Sequence, residues 1–84
     1  MAQITREMHD TCNALFRQIK ARDPELSARA MDRRAILLDG TPEQALCRDL
    51  CALSDTASSF ATGIAPSRKT LKRVEAIITR EMAS

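Results

Sequence analysis

The sequence has few of the residues that make turns and few large aromatic side chains. Its 84 residues include two glycines, three prolines and two phenylalanines, with no tryptophan and no tyrosine. So few turn-forming residues leave little room for an all-β fold, whereas the abundant alanine, leucine, arginine and glutamate favour helices. A chain of this length forms one domain, with a core of Leu, Ile, Ala and Met. We therefore expect an all-α fold, a small bundle of four to five short helices.

Other absences exclude whole classes of protein. No run of about 18 apolar residues exists, so no transmembrane helix is expected, and the N-terminal MAQITREMHD lacks the apolar core of a signal peptide. Three cysteines are an odd number without the spacing of a disulfide framework, which favours a reducing, cytoplasmic location. One histidine, no glycine-rich phosphate loop and no paired carboxylates leave little for catalysis. We expect no enzyme activity, no catalytic residue and no cofactor.

The first helix is predicted from about Gln3 to Ala21, because its apolar residues fall on one stripe. That stripe consists of Ile4, Met8, Cys12, Leu15, Phe16 and Ile19. It is wide enough to pack on the rest of the chain or on a second copy of itself. Completion of the monomer core and formation of a homodimer are therefore both open.

The second helix is predicted from Pro24 to about Leu38. Asp23 is a suitable N-cap and proline a suitable first helical residue, and Asp39-Gly40 ends the segment. The face expected to point inward carries Ala28, Met31, Ala35 and Leu38.

Residues 42–62 allow two interpretations. Thr41 as N-cap, Pro42 as first residue and Gln44 at the third position form a capping box that starts a helix. A break near Ala52–Ser54 would let Ser54 cap a second, short helix that ends at Gly63. The alternative is one long helix from Pro42 to Thr62, since the apolar stripe continues through it. Periodicity does not decide between them; we favour the break.

The last helix is predicted to begin near Pro66 or Ser67. Its apolar residues Leu71, Val74, Ile77, Ile78 and Met82 are expected to point inward. Its first turns carry four cations and no acid, although the net charge of the whole chain is only 13 − 11 = +2. A basic segment of this kind is either a solvated face or a contact for phosphates.

The segment before it has the residue types that fit a DNA groove. A helix in the major groove, which is about 12 Å wide, needs a narrow outer face of short donors and acceptors. Ser54, Asp55, Thr56, Ser58 and Ser59 provide such a face. The cations beside it could then hold the flanking phosphates. These cations are Arg68, Lys69, Lys72 and Arg73. Capping and solvation explain the same hydroxyl residues without DNA.

The segment ALCRDLCALSDTASSFATGIAPSRKTLKRVEAII resembles lambda-repressor-like (Cro/C1-type) helix-turn-helix domains. In that family a T-x-S-x-aromatic-x-x-G pattern spans the recognition helix, and here it is matched by Thr56, Ser58, Phe60 and Gly63. A following P-S-x-x-T-L segment is matched by Pro66, Ser67, Thr70 and Leu71, and Leu53-Ser54 matches the pair that opens the recognition helix. Ala52 stands where the family usually has glycine in the turn. The resemblance covers about residues 41–80.

The resemblance implies a bacterial or phage regulator of transcription. It would bind double-stranded DNA as a sequence-specific regulator, with the recognition helix at about 54–62 in the major groove and a homodimer on paired half-sites. The alternative function is a small helical adaptor or anti-activator that binds another protein and no DNA. An adaptor would expose an apolar groove, whereas a DNA-binding protein would place the four cations beside residues 54–59. Neither function involves a membrane.

A metal site is the weaker chemical alternative. His9 and Cys12 are three residues apart, and Cys47 and Cys51 four, so each pair shares one face of a helix. Two such pairs could hold zinc. Because these cysteines alternate with leucines, and free cysteine is commonly buried as a small hydrophobic residue, we expect no metal site.

Overall fold

Four helices make up the computed structural model of the chain, which describes residues 4–32 and 38–83. They are α1 (Arg6–Arg22), α2 (Pro24–Asp32), α3 (Pro42–Thr62) and α4 (Arg68–Met82). No strand occurs in the described ranges, so the predicted all-α class is confirmed. The central element is α3, which packs against each of the other three helices.

The helix starts follow the capping residues of the sequence. A side chain immediately before each helix accepts a hydrogen bond from the backbone N–H three residues later; these residues are Thr5, Asp23, Thr41 and Ser67. Gly63 ends α3 with φ 75°, a left-handed conformation that glycine adopts without steric strain. The predicted starts of α3 and α4 and the end of α3 are therefore confirmed. The predicted first residue of α1, Gln3, lies outside the described residues.

The predicted break in α3 is wrong. Residues 42–62 form one helix of 21 residues, the alternative that the sequence left open. Between Pro42 and Gly63 there is no glycine or proline to interrupt it. The hydroxyl of Ser59 donates to the carbonyl of Asp55 at 2.9 Å, so it bonds within the helix and caps no new one. The turn of a helix-turn-helix motif is consequently absent at Ala52–Ser54.

The core lies where α3 meets α1 and α4. Its buried side chains are Cys12, Leu15, Ile19, Leu50, Ala52, Leu53, Ala57, Val74 and Ile77. Met8 and Phe16 of α1 pack against its edge. The predicted stripe of α1 thus completes the core of the monomer. On α4 the prediction fails only at Met82, which is 69% exposed.

The second helix differs from its predicted face. Ser27 and Ala30 are its buried residues, and Ala28 is exposed. The Ser27 hydroxyl donates to the carbonyl of Lys20 at 3.0 Å, which turns this residue towards α1. Ala35 lies outside the described residues. Leu38 is not helical and is 75% exposed, so its predicted inward position is wrong.

Glu81 of α4 joins the last helix to the first. Its carboxylate accepts hydrogen bonds from Gln18 Nε2 (3.2 Å), Arg22 Nη1 (3.3 Å) and Arg80 Nε (3.1 Å). The hydrogen bonds from Arg22, and next those from Arg80, lower the pKa of Glu81 from 4.5 to about 2. This carboxylate therefore stays ionised in acid in which an ordinary glutamate is protonated.

We expect Glu81 to make the stability of the chain sensitive to acid. Since the folded-state pKa is about 2 and the reference value is 4.5, its contribution is complete above pH 4.5 and is lost as the pH falls towards 2. Urea unfolding between pH 6 and about pH 2 should show a smaller loss of stability for Glu81→Gln than for the native chain. Glu7→Gln, at an exposed position of α1, is the control and should keep the native profile. Identical pH profiles for Glu81→Gln and the native chain would contradict the role of this carboxylate.

None of the helices within residues 4–32 and 38–83 combines the length and the apolar character needed to cross a membrane.

Candidate functional site

Two of the residues predicted to contact DNA are inside the protein. Thr56 is 0% exposed and Ser59 is 8% exposed. In an unbroken helix, Thr56 follows Leu53 by three residues and Ser59 follows Thr56 by three, so both fall on the stripe that faces the core. Neither side chain can read a base, and their prediction as DNA-contacting residues is wrong.

The exposed serines of α3 face α1 and lie away from the cations of α4. Ser54 and Ser58 line a groove between α1 and α3, together with His9, Asn13 and Phe16. No residue of α4 contributes to the lining of this groove. The single surface predicted for residues 54–59 and the four cations is therefore divided between two sides of α3.

A second depression, the basic cleft, lies between α3 and α4. Its volume is about 340 Å³, and its walls are formed by Arg48, Cys51, Ala52, Asp55, Lys69, Thr70 and Arg73. It brings Asp55 together with Lys69 and Arg73, three of the residues predicted as a site. Arg48 pairs with Asp39 at 3.2 Å and Arg73 with Asp49 at 2.8 Å, so Lys69 is the cation of the cleft that has no ion pair with the described residues and that favours an anion here.

Arg48 and Cys51 belong to the basic cleft but were not predicted as DNA-contacting residues. Together with Asp55 they follow a spacing of three and four residues, which places all three on one face of a continuous helix. The signal was present in the sequence, but it is lost if a turn is placed at Ala52–Ser54. Because the predicted break was wrong, these two residues were not recognised as part of the site.

A buried carboxylate of α3 pairs with one of the cations of the basic cleft. Asp49 of α3 accepts from Arg73 Nε at 2.8 Å and from Arg80 Nη1 at 3.2 Å. Arg73 also donates to the carbonyl of Ala45 at 3.3 Å. Asp49 is only 9% exposed, so the two arginines compensate a charge that water reaches poorly. Arg73 is thus mainly a structural cation, although its side chain remains 37% exposed.

The other three predicted cations have no such partner. Arg68, Lys69 and Lys72 are exposed, and each lacks a hydrogen bond or ion pair to the residues that the structure describes. The first turn of α4 contains no acid. Cations beside the positive end of a helix dipole repel it by roughly 0.3–1 kcal/mol each, and a bound anion relieves that repulsion. This end of α4 therefore favours the binding of an anion.

The four residues of the alternative metal site do not come together. Within the described residues no group of three or more His, Cys, Asp and Glu side chains is placed to hold a metal ion. His9 instead pairs its Nδ1 with Asp10 Oδ1 at 3.0 Å and accepts from Asn13 Nδ2 at 3.1 Å. Cys12 is buried in the core, where desolvation raises the pKa of its thiol. Cys47 and Cys51 remain as a pair, with their sulfurs 3.9 Å apart.

One exposed apolar area lies at the C-terminal end of α3. Phe60 is 36% exposed and Ile64, just past the helix, is 73% exposed. The guanidinium carbon of Arg6 is 5.3 Å from the centre of the Phe60 ring, and the His9 ring centre is 4.9 Å from it. Exposed apolar side chains of this kind suit contact with another protein.

Comparison with known proteins supplies no relative. No family model, curated protein or solved structure matches the chain. The resemblance to Cro/C1-type domains stays a prediction, and α3 lacks the turn that such a domain uses to present its recognition helix.

Proposed function

We propose that this chain is a DNA-binding regulator of transcription that contacts the phosphate backbone with the first turns of α4. The observation that carries the proposal is the set of unpaired, exposed cations Arg68, Lys69 and Lys72 beside the basic cleft. Lysine and arginine at a helix N-terminus are a common means of binding phosphates.

This contact differs from the groove insertion that the sequence suggested. Of the short polar side chains of α3, Asp55 is next to the cations, and its carboxylate suits cytosine N4 as an acceptor. The remaining exposed ones, Ser54 and Ser58, are on the α1 side. Phosphate contacts therefore dominate, and we expect modest discrimination between DNA sequences by one copy of the chain. A homodimer would raise discrimination by requiring paired sites, and it remains part of the proposal.

Salt dependence tests the proposal. We expect a fluorescent duplex of about 20 base pairs to bind the native chain, with an affinity that falls as salt rises from about 50 to 200 mM. Lys69→Ala and Lys72→Ala should weaken binding to two unrelated sequences equally. Each should lower the slope of log K against log salt by about one unit, because each removes one phosphate contact. Arg17→Ala, which removes an exposed cation of α1, is the control of equal charge and should keep the native slope.

Two outcomes would contradict the proposal. One is equal loss of binding in Arg17→Ala and Lys69→Ala, which would reduce the effect to net charge. The other is the absence of any binding at low salt, where contacts to phosphates are strongest. In the second case the alternative function applies, that of an adaptor that binds another protein.

The adaptor function is supported by a separate observation, the exposed Phe60 and Ile64. Exposed apolar side chains at a helix end can form the centre of a protein interface. Ile64→Asp should then abolish binding of the partner protein.

A further inference from the structure

Cys47 and Cys51 lie one helical turn apart on α3, with their sulfur atoms 3.9 Å apart. We propose that the two thiols form a binding site for one soft cation of low coordination number, of the copper(I) class. The site consists of thiols of α3, whereas the proposed DNA contact uses the cations of α4.

The sulfur–sulfur distance fits a metal bridge without movement of the helix. With metal–sulfur bonds of about 2.3 Å, two thiolates are about 3.8 Å apart in tetrahedral geometry and about 4.0 Å apart in trigonal geometry. The observed 3.9 Å lies between these values and is too short for a linear, two-coordinate cation, which needs about 4.6 Å, so a third small ligand from solvent completes the site. A direct disulfide needs the Cβ atoms about 3.5–4.5 Å apart, whereas residues four apart on a helix hold them about 5–6 Å apart. The continuous helix therefore favours a metal bridge over oxidation.

Access is available from one side. Cys47 is buried, 7% exposed, whereas Cys51 is partly exposed and lines the basic cleft. A cation therefore reaches the Cys51 sulfur from the cleft, and the Cys47 sulfur lies 3.9 Å from it. The cleft, of about 340 Å³, also has room for a small third ligand from solvent, such as a thiol.

The donor set selects the class of cation. Two thiolates are soft ligands, which copper(I) prefers, and within the described residues no His, Asp, Glu or further Cys side chain joins them in a group of three. Structural zinc sites use four protein ligands, so the two thiolates here are too few for a structural zinc site. Our expectation that the cysteines bind no zinc is thus compatible with this site.

The net charge of the occupied site also favours a cation of the copper(I) class. When copper(I) binds, two S–H bonds break, two protons leave to solvent and two copper–sulfur bonds form, with no change in oxidation state. The product carries one negative charge, from two thiolates and one monovalent cation. Lys69 of α4 lines the same cleft and has no ion pair with the described residues, so its charge is available to the product, whereas Arg48 and Arg73 are paired with Asp39 and Asp49. Because protons are released, binding tightens as the pH rises towards the thiol pKa.

Anaerobic titration with copper(I) held by a coloured competing chelator tests the proposal. We expect the native chain to withdraw one equivalent, with a rise in Tm on the order of 10 °C at a hundredfold excess over Kd. Cys47→Ala and Cys51→Ala should each withdraw none. Cys12→Ala, which removes the buried thiol of α1, is the matched control and should withdraw one equivalent. Circular dichroism of each variant verifies that α3 is folded.

Three results would overturn the site. They are no withdrawal of copper(I) by the native chain, equal withdrawal by a folded Cys51→Ala variant, and a single equivalent of zinc bound in preference to copper(I) when both are offered. The last would leave a dithiol site but refute its low coordination number. Loss of DNA binding in Lys69→Ala has no bearing on these outcomes, provided that copper(I) uptake is measured without DNA.

Discussion

Replacement of Leu53 by alanine is expected to lower the free energy of unfolding by about 3–5 kcal/mol. Leu53 is 0% exposed and lies at the middle of α3, in the cluster that includes Leu15 of α1 and Ile77 of α4. The substitution removes apolar surface and leaves a cavity that three helices surround. A domain of this size has a total stability of roughly 4–13 kcal/mol, so a loss of this size removes a large part of it.

Urea unfolding followed by circular dichroism measures the loss. Leu38→Ala, in which the same atoms are removed from a side chain that is 75% exposed, is the control and should change stability by no more than about 0.5 kcal/mol. The Tm of Leu53→Ala should fall by more than about 12 °C. Similar losses for the two variants would mean that Leu53 is not at the centre of the core.

Asp49→Ala is expected to lower the free energy of unfolding by about 2–3 kcal/mol. Removal of one partner from a buried ion pair often costs about 3–5 kcal/mol, because the other charge stays without compensation. Here the side chains of Arg73 and Arg80 are 37% and 52% exposed, so both guanidinium groups can turn to water and the loss is smaller. The expected loss is that of the two hydrogen bonds by which Asp49 links α3 to α4, at 2.8 Å and 3.2 Å.

The control for this substitution is Asp55→Ala on the same helix. Asp55 is exposed and forms no ion pair with the described residues, so its removal should change stability by about 0.5 kcal/mol or less. A double-mutant cycle of Asp49→Ala with Arg80→Ala should show non-additive losses, since one contact is removed by either change. Additive losses, or equal losses for Asp49→Ala and Asp55→Ala, would contradict the structural role of Asp49.

Local chemistry made much of the fold predictable. The hydroxyl of Thr41 and the conformational freedom of Gly63 mark the two ends of α3, and Ser67 marks the start of α4. These signals act through the backbone within three residues, so they need no knowledge of the rest of the chain. Whether α3 is interrupted between its ends depends on packing against α1 and α4. Sequence periodicity does not contain that information, because the stripe is the same in both cases.

The prediction of the candidate site depended on the same question, whether α3 is continuous. Hydroxyl residues suit the surface of a groove-binding helix, but Thr56 and Ser59 point inward once α3 continues without a turn. Thr56 is buried, and its hydroxyl has no hydrogen-bond partner among the described residues. Amino-acid composition does not predict such a position for a threonine. Lys69 and Lys72 are exposed, as a contact with DNA would require, since long charged side chains near a helix start are almost always on the surface. Arg48 and Cys51 required the continuous helix to be recognised.

The continuity of α3 decides the kind of DNA contact that is possible and places the two thiols and the basic cleft. It is tested most directly by the free energy of unfolding of Ala52→Gly. Ala52 is 6% exposed within the helix, where glycine is about 1 kcal/mol less favourable than alanine and the lost methyl adds about 0.8 kcal/mol. We therefore expect Ala52→Gly to be destabilised by about 1–2 kcal/mol. In a helix-turn-helix turn with positive φ at this position, glycine would relieve strain, so a more stable Ala52→Gly variant would contradict the continuous helix.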